Sequence, residues 1–179
     1  MSTTTFLIAG FGGQGVLFAG KFLAYKGLIE DKQVSWLPSY GPEMRGGTAN
    51  CSVIISDESV GSPIVSNPDV LVAMNLPSLD KYEDSVVPGG KIIVDSTLIE
   101  RKVNRTDVEV FYLPATKMAN DMNMQGLANM IITGKIIKEC DIVSDGNIEA
   151  ALTKVVSAKR QNLFDLNLSA IKAGFDYKE

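Results

Sequence analysis

The glycines near the start of the chain are the first residues whose types and spacing could serve chemistry. Gly10, Gly12 and Gly15 follow an apolar run in the pattern Gly-x-Gly-x-x-Gly, and Gly13 and Gln14 lie between them. In a dinucleotide-binding turn, the first glycine permits the turn, the second permits close approach of the backbone, and the third lets the helix pack on the strand. We predict that this loop binds a cofactor or contacts another chain, with the Gln14 amide presented outward for hydrogen bonding.

Two nucleotide-binding motifs can be tested on this loop. A P-loop needs Ser or Thr after its lysine to bind magnesium, whereas Phe22 follows Lys21, which excludes that motif. A dinucleotide site needs an acid about 20 residues further on, at the end of the second strand. Glu30 and Asp31 come before that strand instead of after it. A free-standing oxidoreductase that binds NAD or FAD through this loop stays open as an alternative, as does a structural role in helix–sheet packing.

A second informative segment reads PSYGPEMRGGTANC. Its two prolines and three glycines restrict the backbone to defined turns, and these turns carry Tyr40, Glu43 and Arg45. Tyr and Arg are favoured at the centre of protein interfaces, and a guanidinium also binds phosphate or carboxylate groups. We predict that Tyr40, Glu43 and Arg45 recognise a partner or a ligand. The alternative is an internal ion pair between Glu43 and Arg45.

Composition excludes several kinds of chemistry. The chain of 179 residues has no histidine, so it cannot form a Ser-His-Asp triad or a His-ligated zinc site. Its two cysteines, Cys51 and Cys140, are too few for a four-thiolate iron–sulfur cluster. A net charge of −4 does not support nucleic-acid binding. With no apolar run of membrane-spanning length and no signal peptide, we expect a cytoplasmic protein without metal or membrane contacts.

The elements that position these residues are predicted from apolar runs and turn signals. The strands have the sequences TTFLIAG, QVSWLPS, CSVIISD, DVLVAMN, KIIVDST and VEVFYLPAT. Because helical segments alternate with most of them, we predict one α/β domain over residues 1–179, with a Rossmann-like, three-layer arrangement. Its mostly parallel sheet has helices on both faces, and the C-terminal third is helical.

Ligands in such folds approach the carboxyl ends of the strands. The residues predicted at these ends are Gly10, Ser39, Asn75 and Asp95. We therefore place the candidate site at this edge of the sheet, although Asp95 is expected to cap the next turn instead of binding a ligand.

The helical C-terminal third contains three predicted helical segments. The first runs from about Lys117 to Cys140 and is rich in methionine, which suits core packing or an adaptable subunit interface. Ser144 or Asp145 is expected to cap the second segment.

Four segments together carry a resemblance to a known family: GFGGQGVLFAGKFLA, VSWLPSYGPEMRGGTANCSVIISD, GSPIVSNPDVLVAMNLPSLDKY and GGKIIVDSTLI. They are similar to the gamma subunit of 2-oxoacid:ferredoxin oxidoreductases, and the resemblance extends over nearly the whole chain. The stretch from Ser39 to Cys51 is its most specific part. It looks closest to the 2-oxoglutarate and branched-chain 2-oxoacid types.

The resemblance implies a subunit without a redox centre or catalytic residues of its own. In this family, thiamine diphosphate with Mg²⁺ and the iron–sulfur clusters lie on other chains, and the partners are alpha, beta and sometimes ferredoxin-like delta subunits. The assembled enzyme converts a 2-oxoacid and coenzyme A to an acyl-CoA and passes electrons to ferredoxin. The resemblance thus implies that the isolated chain is inactive. It favours 2-oxoglutarate as the substrate and leaves a branched-chain 2-oxoacid open as the alternative. An interaction module without a link to catalysis is the remaining alternative.

Overall fold

The computed structural model describes residues 2–39 and 48–179. Six strands form one sheet: β1 (Thr3–Phe11), β2 (Gln33–Ser39), β3 (Thr48–Ser56), β4 (Val70–Ala73), β5 (Lys91–Asp95) and β6 (Glu109–Leu113). The helices are α1 (Val16–Ile29), α2 (Leu76–Tyr82), α3 (Ala115–Asp121), α4 (Ala128–Glu139), α5 (Ile148–Val155) and α6 (Gln161–Asp176). A short 3₁₀ turn (Glu83–Ser85) follows α2.

The sheet is mixed, with the strand order β2-β3-β1-β4-β5-β6. Strands β1, β4, β5 and β6 pair in parallel, whereas β3 is antiparallel to both β1 and β2. The α/β class is confirmed, and β3 is the strand that departs from the parallel pattern. Its reversal is consistent with the short connection, since only eight residues separate β2 from β3, whereas a parallel pair needs a crossover of a dozen residues or more.

The two faces of the sheet are covered unequally. The larger apolar cluster joins one face to α1, α3, α4, α5 and α6, and includes Phe6, Ile8, Phe22 and Val53. The opposite face carries a smaller cluster that includes Leu7, Leu71 and Ile92, and α2 supplies Leu79 to it. Both clusters remove large apolar side chains from water, which is the main favourable term in folding.

The methionine-rich stretch is two helices instead of one. Helix α3 ends at Asp121, and α4 begins at Ala128. Between them, Asn123 (φ 55°) and Gly126 (φ 86°) adopt left-handed conformations, which interrupt a helix. The prediction of one continuous helical segment from Lys117 to Cys140 was therefore wrong, and the turn between the helices reaches the candidate site described below.

The predicted cap of α5 was also wrong. This helix begins at Ile148, after a left-handed Asn147 that makes no side-chain cap. The Ser144 backbone N–H and hydroxyl instead donate to the Glu30 carboxylate, at 2.9 and 2.7 Å. Ser144 therefore fastens the end of α1 to the loop before α5.

Candidate functional site

The glycine loop connects the end of β1 to the start of α1. A turn closes where the Gln14 N–H donates to the Phe11 carbonyl at 3.2 Å. Gly13 (φ 93°) and Gly15 (φ 75°) are both left-handed, and Gly15 is the N-cap residue directly before α1. Glycine adopts this conformation at little steric cost, so these two positions explain the shape of the loop.

Gln14 does not present its amide outward, and that prediction was wrong. Its Oε1 accepts a hydrogen bond from the Phe11 N–H at 2.6 Å, and its Nε2 donates to the Met74 carbonyl at 3.0 Å. The side chain is half-buried. The closed turn directs it back between the ends of β1 and β4, where both ends of the carboxamide find backbone partners.

Two glycines of the fingerprint have roles other than those assigned from its spacing. A Cβ on Gly10 would lie 2.5 Å from Oε1 of Gln14, so Gly10 makes room for that side chain. A Cβ on Gly15 would overlap the Asn129 side chain, whose Nδ2 donates to the Gly15 carbonyl at 3.0 Å. Gly15 therefore lets the loop approach α4, and the assumption that it sets the helix–strand distance was wrong.

Close packing of α1 on the sheet depends on glycines inside the helix. A Cβ on Gly20 would overlap Sγ of Cys51, and one on Gly27 would lie 2.9 Å from Cγ2 of Val34. Cys51 is fully buried and its Sγ donates to the Val16 carbonyl at 3.4 Å. Burial raises the pKa of the Cys51 thiol to about 12, so this thiol is part of the core and not a nucleophile.

A pocket of about 210 Å³ opens beside the loop, at the carboxyl edge of the sheet. Its lining includes Gly13, Gln14, Met74, Leu98, Thr116 and Asn120. From β1, the chain continues to β2 on one side of β1 in the sheet, whereas β4 pairs with β1 on the other side. The strand order therefore reverses between β1 and β4, next to the pocket. Ligand sites in open α/β sheets form at such positions. In the described part of the chain, the lining offers amide and hydroxyl groups and no charged side chain.

The residues predicted at the carboxyl ends of strands are brought to one edge. Ser39 pairs with Asn50 and Gly10 pairs with Ala49, the residue next to Asn50 in β3. Ser39 and Gly10 therefore lie at the same edge of the sheet. Asn75 accepts from the Ser78 N–H at 2.9 Å and thereby caps α2. These side chains frame the site without themselves forming a charged centre.

Asp95 also lies at this edge and is fully buried. Its carboxylate accepts from the Thr97 N–H at 3.1 Å and from the Thr116 hydroxyl at 2.6 Å. The expected turn-capping role therefore agrees with these contacts, which also fix the start of α3 beside the pocket.

Among the described residues, no acidic side chain lies at the end of β2, where a dinucleotide site would need one to bind the ribose. Glu30 accepts from Ser144, and Asp31 (φ 59°) forms the turn after α1, both at the amino edge of the sheet. The end of β2 carries Ser39. The geometry therefore does not favour the NAD or FAD alternative.

Tyr40, Glu43 and Arg45 lie outside the described residues. The strands on either side of their segment, β2 and β3, are paired with each other up to Ser39 and Asn50. Strand β2 therefore ends, and β3 begins, at the carboxyl edge, which also carries the glycine loop. The recognition role of these three residues stays a prediction.

Sequence reasoning missed the contribution of the α3–α4 region to the site. Thr116, Asn120 and Gly126 line the pocket, and Asn129 holds the glycine loop. The signal was present in the run DMNMQG, where two asparagine or aspartate residues and a glycine mark a turn. The turn was not predicted because the apolar residues on either side of this run have helical spacing.

No group of three or more potential metal ligands occurs among residues 2–39 and 48–179. Within the same ranges, no helix is long and apolar enough to cross a membrane.

The fold and the site define a class: a Rossmann-like α/β unit whose glycine turn lies where the strand order reverses. A family model described as pyruvate ferredoxin/flavodoxin oxidoreductase matches residues 5–177. The chain therefore belongs to this family, and the resemblance of its motifs is confirmed.

Curated relatives carry the names of two substrates. The chain is 41% identical to ketoisovalerate oxidoreductase subunit VorA of Methanothermobacter thermautotrophicus over 95% of its length, but spans only 35% of that protein. It is 34% identical to 2-oxoglutarate synthase subunit KorC of Methanocaldococcus jannaschii, covering 94% of this chain and 90% of KorC.

Solved structures share the fold over almost all of the chain. The keto/oxoacid ferredoxin oxidoreductase gamma subunit of Geobacter sulfurreducens is 30% identical with a TM-score of 0.82, covering 97% of this chain and 96% of that one. The 2-oxoglutarate:ferredoxin oxidoreductase of Magnetococcus marinus has a TM-score of 0.88 at 22% identity, and this chain covers 31% of it. This chain therefore shares its fold with one part of the much longer Magnetococcus chain.

Proposed function

We propose that this chain is the gamma component of a 2-oxoacid:ferredoxin oxidoreductase and acts as one α/β domain within a larger enzyme. The similarity to the Geobacter gamma subunit carries the proposal, because it covers 97% of this chain and 96% of that one. The role is to shape and complete an assembly whose reactive groups lie on other chains. The assembled enzyme works in the cytoplasm, oxidatively decarboxylates its 2-oxoacid to an acyl-CoA and delivers electrons to ferredoxin.

The iron–sulfur clusters of such an enzyme do not fit this chain. Two cysteines in the whole sequence cannot supply the four thiolates of an ordinary iron–sulfur cluster. The family resemblance implies that thiamine diphosphate and its Mg²⁺ also lie on other chains. We therefore assign thiamine diphosphate, Mg²⁺ and the clusters to alpha, beta and ferredoxin-like delta partners, and coenzyme A to the assembled complex.

The carboxyl edge of the sheet is the surface we assign to those partners. Phe11, the last residue of β1, is 40% exposed. Leu76 is 39% exposed and Leu98 is 44% exposed, and each lies three residues after the end of a strand. Contiguous exposed apolar patches are typical of docking surfaces, and we propose that these three side chains contribute to one. Strand β2, which precedes Tyr40, Glu43 and Arg45 in the sequence, ends at the same edge.

For the substrate we propose 2-oxoglutarate, on the motif resemblance and the similarity to KorC. Ketoisovalerate, a branched-chain 2-oxoacid, is a second candidate because of the 41% identity to VorA. The pocket on this chain does not discriminate, since its lining carries no positive charge for a second carboxylate in the described part of the chain.

The test is purification of the tagged chain from its own cells, followed by identification of the chains bound to it and by an activity assay. We expect thiamine- and cluster-containing partners and reduction of ferredoxin that needs both a 2-oxoacid and coenzyme A. Rates with 2-oxoglutarate, ketoisovalerate and pyruvate rank the substrates. Recovery of the chain alone, or with unrelated partners, would contradict the proposal. The isolated chain is the matched control and should be inactive.

A further inference from the structure

The direct backbone hydrogen bonds between the parallel strands β1 and β4 stop near the carboxyl ends of these strands. The pairing runs in register from Phe6 with Val70 to Ala9 with Ala73, and the Met74 N–H then donates to the Ala9 carbonyl at 2.9 Å. In a parallel pair, a residue bonds through its N–H to one residue of the neighbour and through its C=O to the residue two positions further on. The next bond would therefore join the Phe11 N–H to the Met74 carbonyl.

The side chain of Gln14 occupies that position. Its Oε1 accepts from the Phe11 N–H at 2.6 Å, and its Nε2 donates to the Met74 carbonyl at 3.0 Å. A carboxamide has the same donor and acceptor groups as a peptide unit, so it satisfies both strands at once. We propose that Gln14 is a positioning residue: its carboxamide replaces one direct hydrogen bond between β1 and β4 and sets the width of the crevice between their carboxyl ends.

The local sequence is suited to this arrangement. The turn from Phe11 to Gln14 is closed by the Gln14 N–H, which returns the side chain to the residue that begins the turn. Left-handed Gly13 and Gly15 flank Gln14, and Gly10 leaves the space that the carboxamide occupies. Three glycines therefore serve the placement of one side chain.

The width of the crevice matters because the crevice leads into the pocket. Gly13, Gln14 and Met74 lie side by side in the lining of this pocket of about 210 Å³. Without the carboxamide, the Phe11 N–H and the Met74 carbonyl can bond directly, which draws the strands together and narrows the entrance. The consequence for turnover rests on the proposed function, whereas the geometry of the carboxamide can be tested on the chain alone.

The first experiment compares Gln14→Glu with Gln14→Ala in urea unfolding of the full chain at pH 4 and pH 7. The introduced carboxyl can donate to the Met74 carbonyl only when protonated, so its pKa rises on folding and its contribution is lost as the pH rises. No titratable side chain lines the pocket in the described part of the chain. We expect the unfolding equilibrium constant of Gln14→Glu, relative to the wild type, to increase at least tenfold between pH 4 and pH 7.

The matched controls define what is specific to the carboxamide. Gln14→Ala should show a loss that is the same at both pH values, and Gln125→Glu, the same change at an exposed position, should change less than twofold between them. Gly10→Ala should destabilise the wild type more than it destabilises Gln14→Ala, because the added methyl group meets the carboxamide. An equal pH response of Gln14→Glu and Gln125→Glu would overturn the proposed bridge.

The second experiment measures the assembled complex. With Gln14→Ala, we expect normal incorporation of the chain but at least a tenfold fall in kcat/KM, and Gln14→Glu should add an ionisation to the pH–rate profile that favours low pH. Normal turnover of both variants would overturn the positioning role. If the wild-type complex shows no 2-oxoacid oxidation, the proposed function fails, while the unfolding experiment still decides whether the carboxamide bridges the strands.

Discussion

At the amino edge of the sheet, charged side chains pair with one another, whereas the carboxyl edge presents apolar and amide side chains. Lys32 lies 2.6 Å from Asp57 at the amino edge, and Lys91, the first residue of β5, lies 2.9 Å from Glu109, the first residue of β6. These groups are satisfied within the chain. Such exposed pairs add little to stability, but they keep an edge hydrated and unsuited to docking.

The carboxyl edge differs because, among the residues that the structure describes, several of the exposed side chains there are large and apolar. Four large apolar residues, 39–44% exposed, lie within three residues of the carboxyl end of a strand: Phe11, Leu37, Leu76 and Leu98. Amide side chains of Gln14, Asn75 and Asn120 stand among them. We therefore propose that assembly and stability depend on separate parts of this molecule, and variants can test that separation.

The largest effect is expected from charges introduced at the apolar edge. Leu76→Asp combined with Leu98→Asp should weaken the complex about 1000-fold, because each buried interface anchor contributes roughly 2 kcal/mol or more. The unfolding free energy of the free chain should change little, since both side chains are already partly exposed. Titration of the remaining subunits with labelled chain measures the affinity.

Leu28→Asp is the matched control, because Leu28 is 52% exposed at the far end of α1. It should leave assembly unchanged. If Leu28→Asp weakens assembly as much as the pair at the carboxyl edge, the comparison between the edges is wrong.

The next effect is expected in the charged region that follows α2. Glu83 is buried, and its carboxylate accepts from Arg101 at 2.7 Å and from the Asn104 N–H. Glu83→Ala strands the Arg101 guanidinium in a partly buried position, so we expect a loss of about 3 kcal/mol in the free energy of unfolding. Urea denaturation of the free chain measures this loss.

Asp80→Ala provides the control, because Asp80 contacts the same Arg101 guanidinium at 2.6 Å but its side chain is 56% exposed. The expected loss is under about 1 kcal/mol. Equal losses for the two variants would show that burial is not what makes Glu83 important.

Local sequence predicted much of the fold and the edge of the sheet at which we place the candidate site. The six apolar runs became six strands, and the carboxyl edge was identified from the residues that follow those runs. Both inferences rest on local patterns, which the chain carries in a few consecutive residues. The reversal of β3 depends on which strands pair across the sheet, and that information is not local.

The contacts within the candidate site were harder to predict, because they too join residues far apart in the sequence. Gln14 was expected to face solvent because its neighbours are glycines, and its partner Met74 lies 60 residues away. Asn129 reaches Gly15 across 114 residues. Such contacts depend on the packed arrangement of several elements, so a single sequence does not reveal them.

A smaller effect concerns the two cysteines, one near each edge. Cys51 lies in β3 near its carboxyl-edge start, and Cys140 lines a pocket at the amino edge. Burial raises the pKa of each thiol to about 12, and for Cys140 the nearby Lys91 partly opposes this rise. We therefore expect no reaction of either thiol with a disulfide reagent at pH 8 in the folded chain, and full reaction in urea.

The sign of the pH dependence follows from the same shifts. Because the folded thiols stay protonated while unfolded thiols ionise near pH 9, the free energy of unfolding should fall as the pH rises above about 9. Cys51→Ala and Cys140→Ala identify which thiol reacts if one does. Rapid labelling of Cys140 alone would show that the amino edge is more open than its packing indicates.

The smallest effect is expected at the exposed ion pair between Lys32 and Asp57. The Lys32 ammonium, followed by the Ser2 N–H and hydroxyl, holds the pKa of the Asp57 carboxyl below its usual value of 3.8. The stabilisation is therefore present above that value and is lost as the pH falls through the folded pKa. Asp57→Asn should be slightly less stable than the wild type at pH 7, and the gap should close in acid and shrink in 1 M salt, where charges are screened. Glu58→Gln removes a neighbouring charge and should show neither dependence. A gap that persists unchanged in acid and in salt would mean that Asp57 acts through its hydrogen bonds to Ser2 alone, and not through its charge.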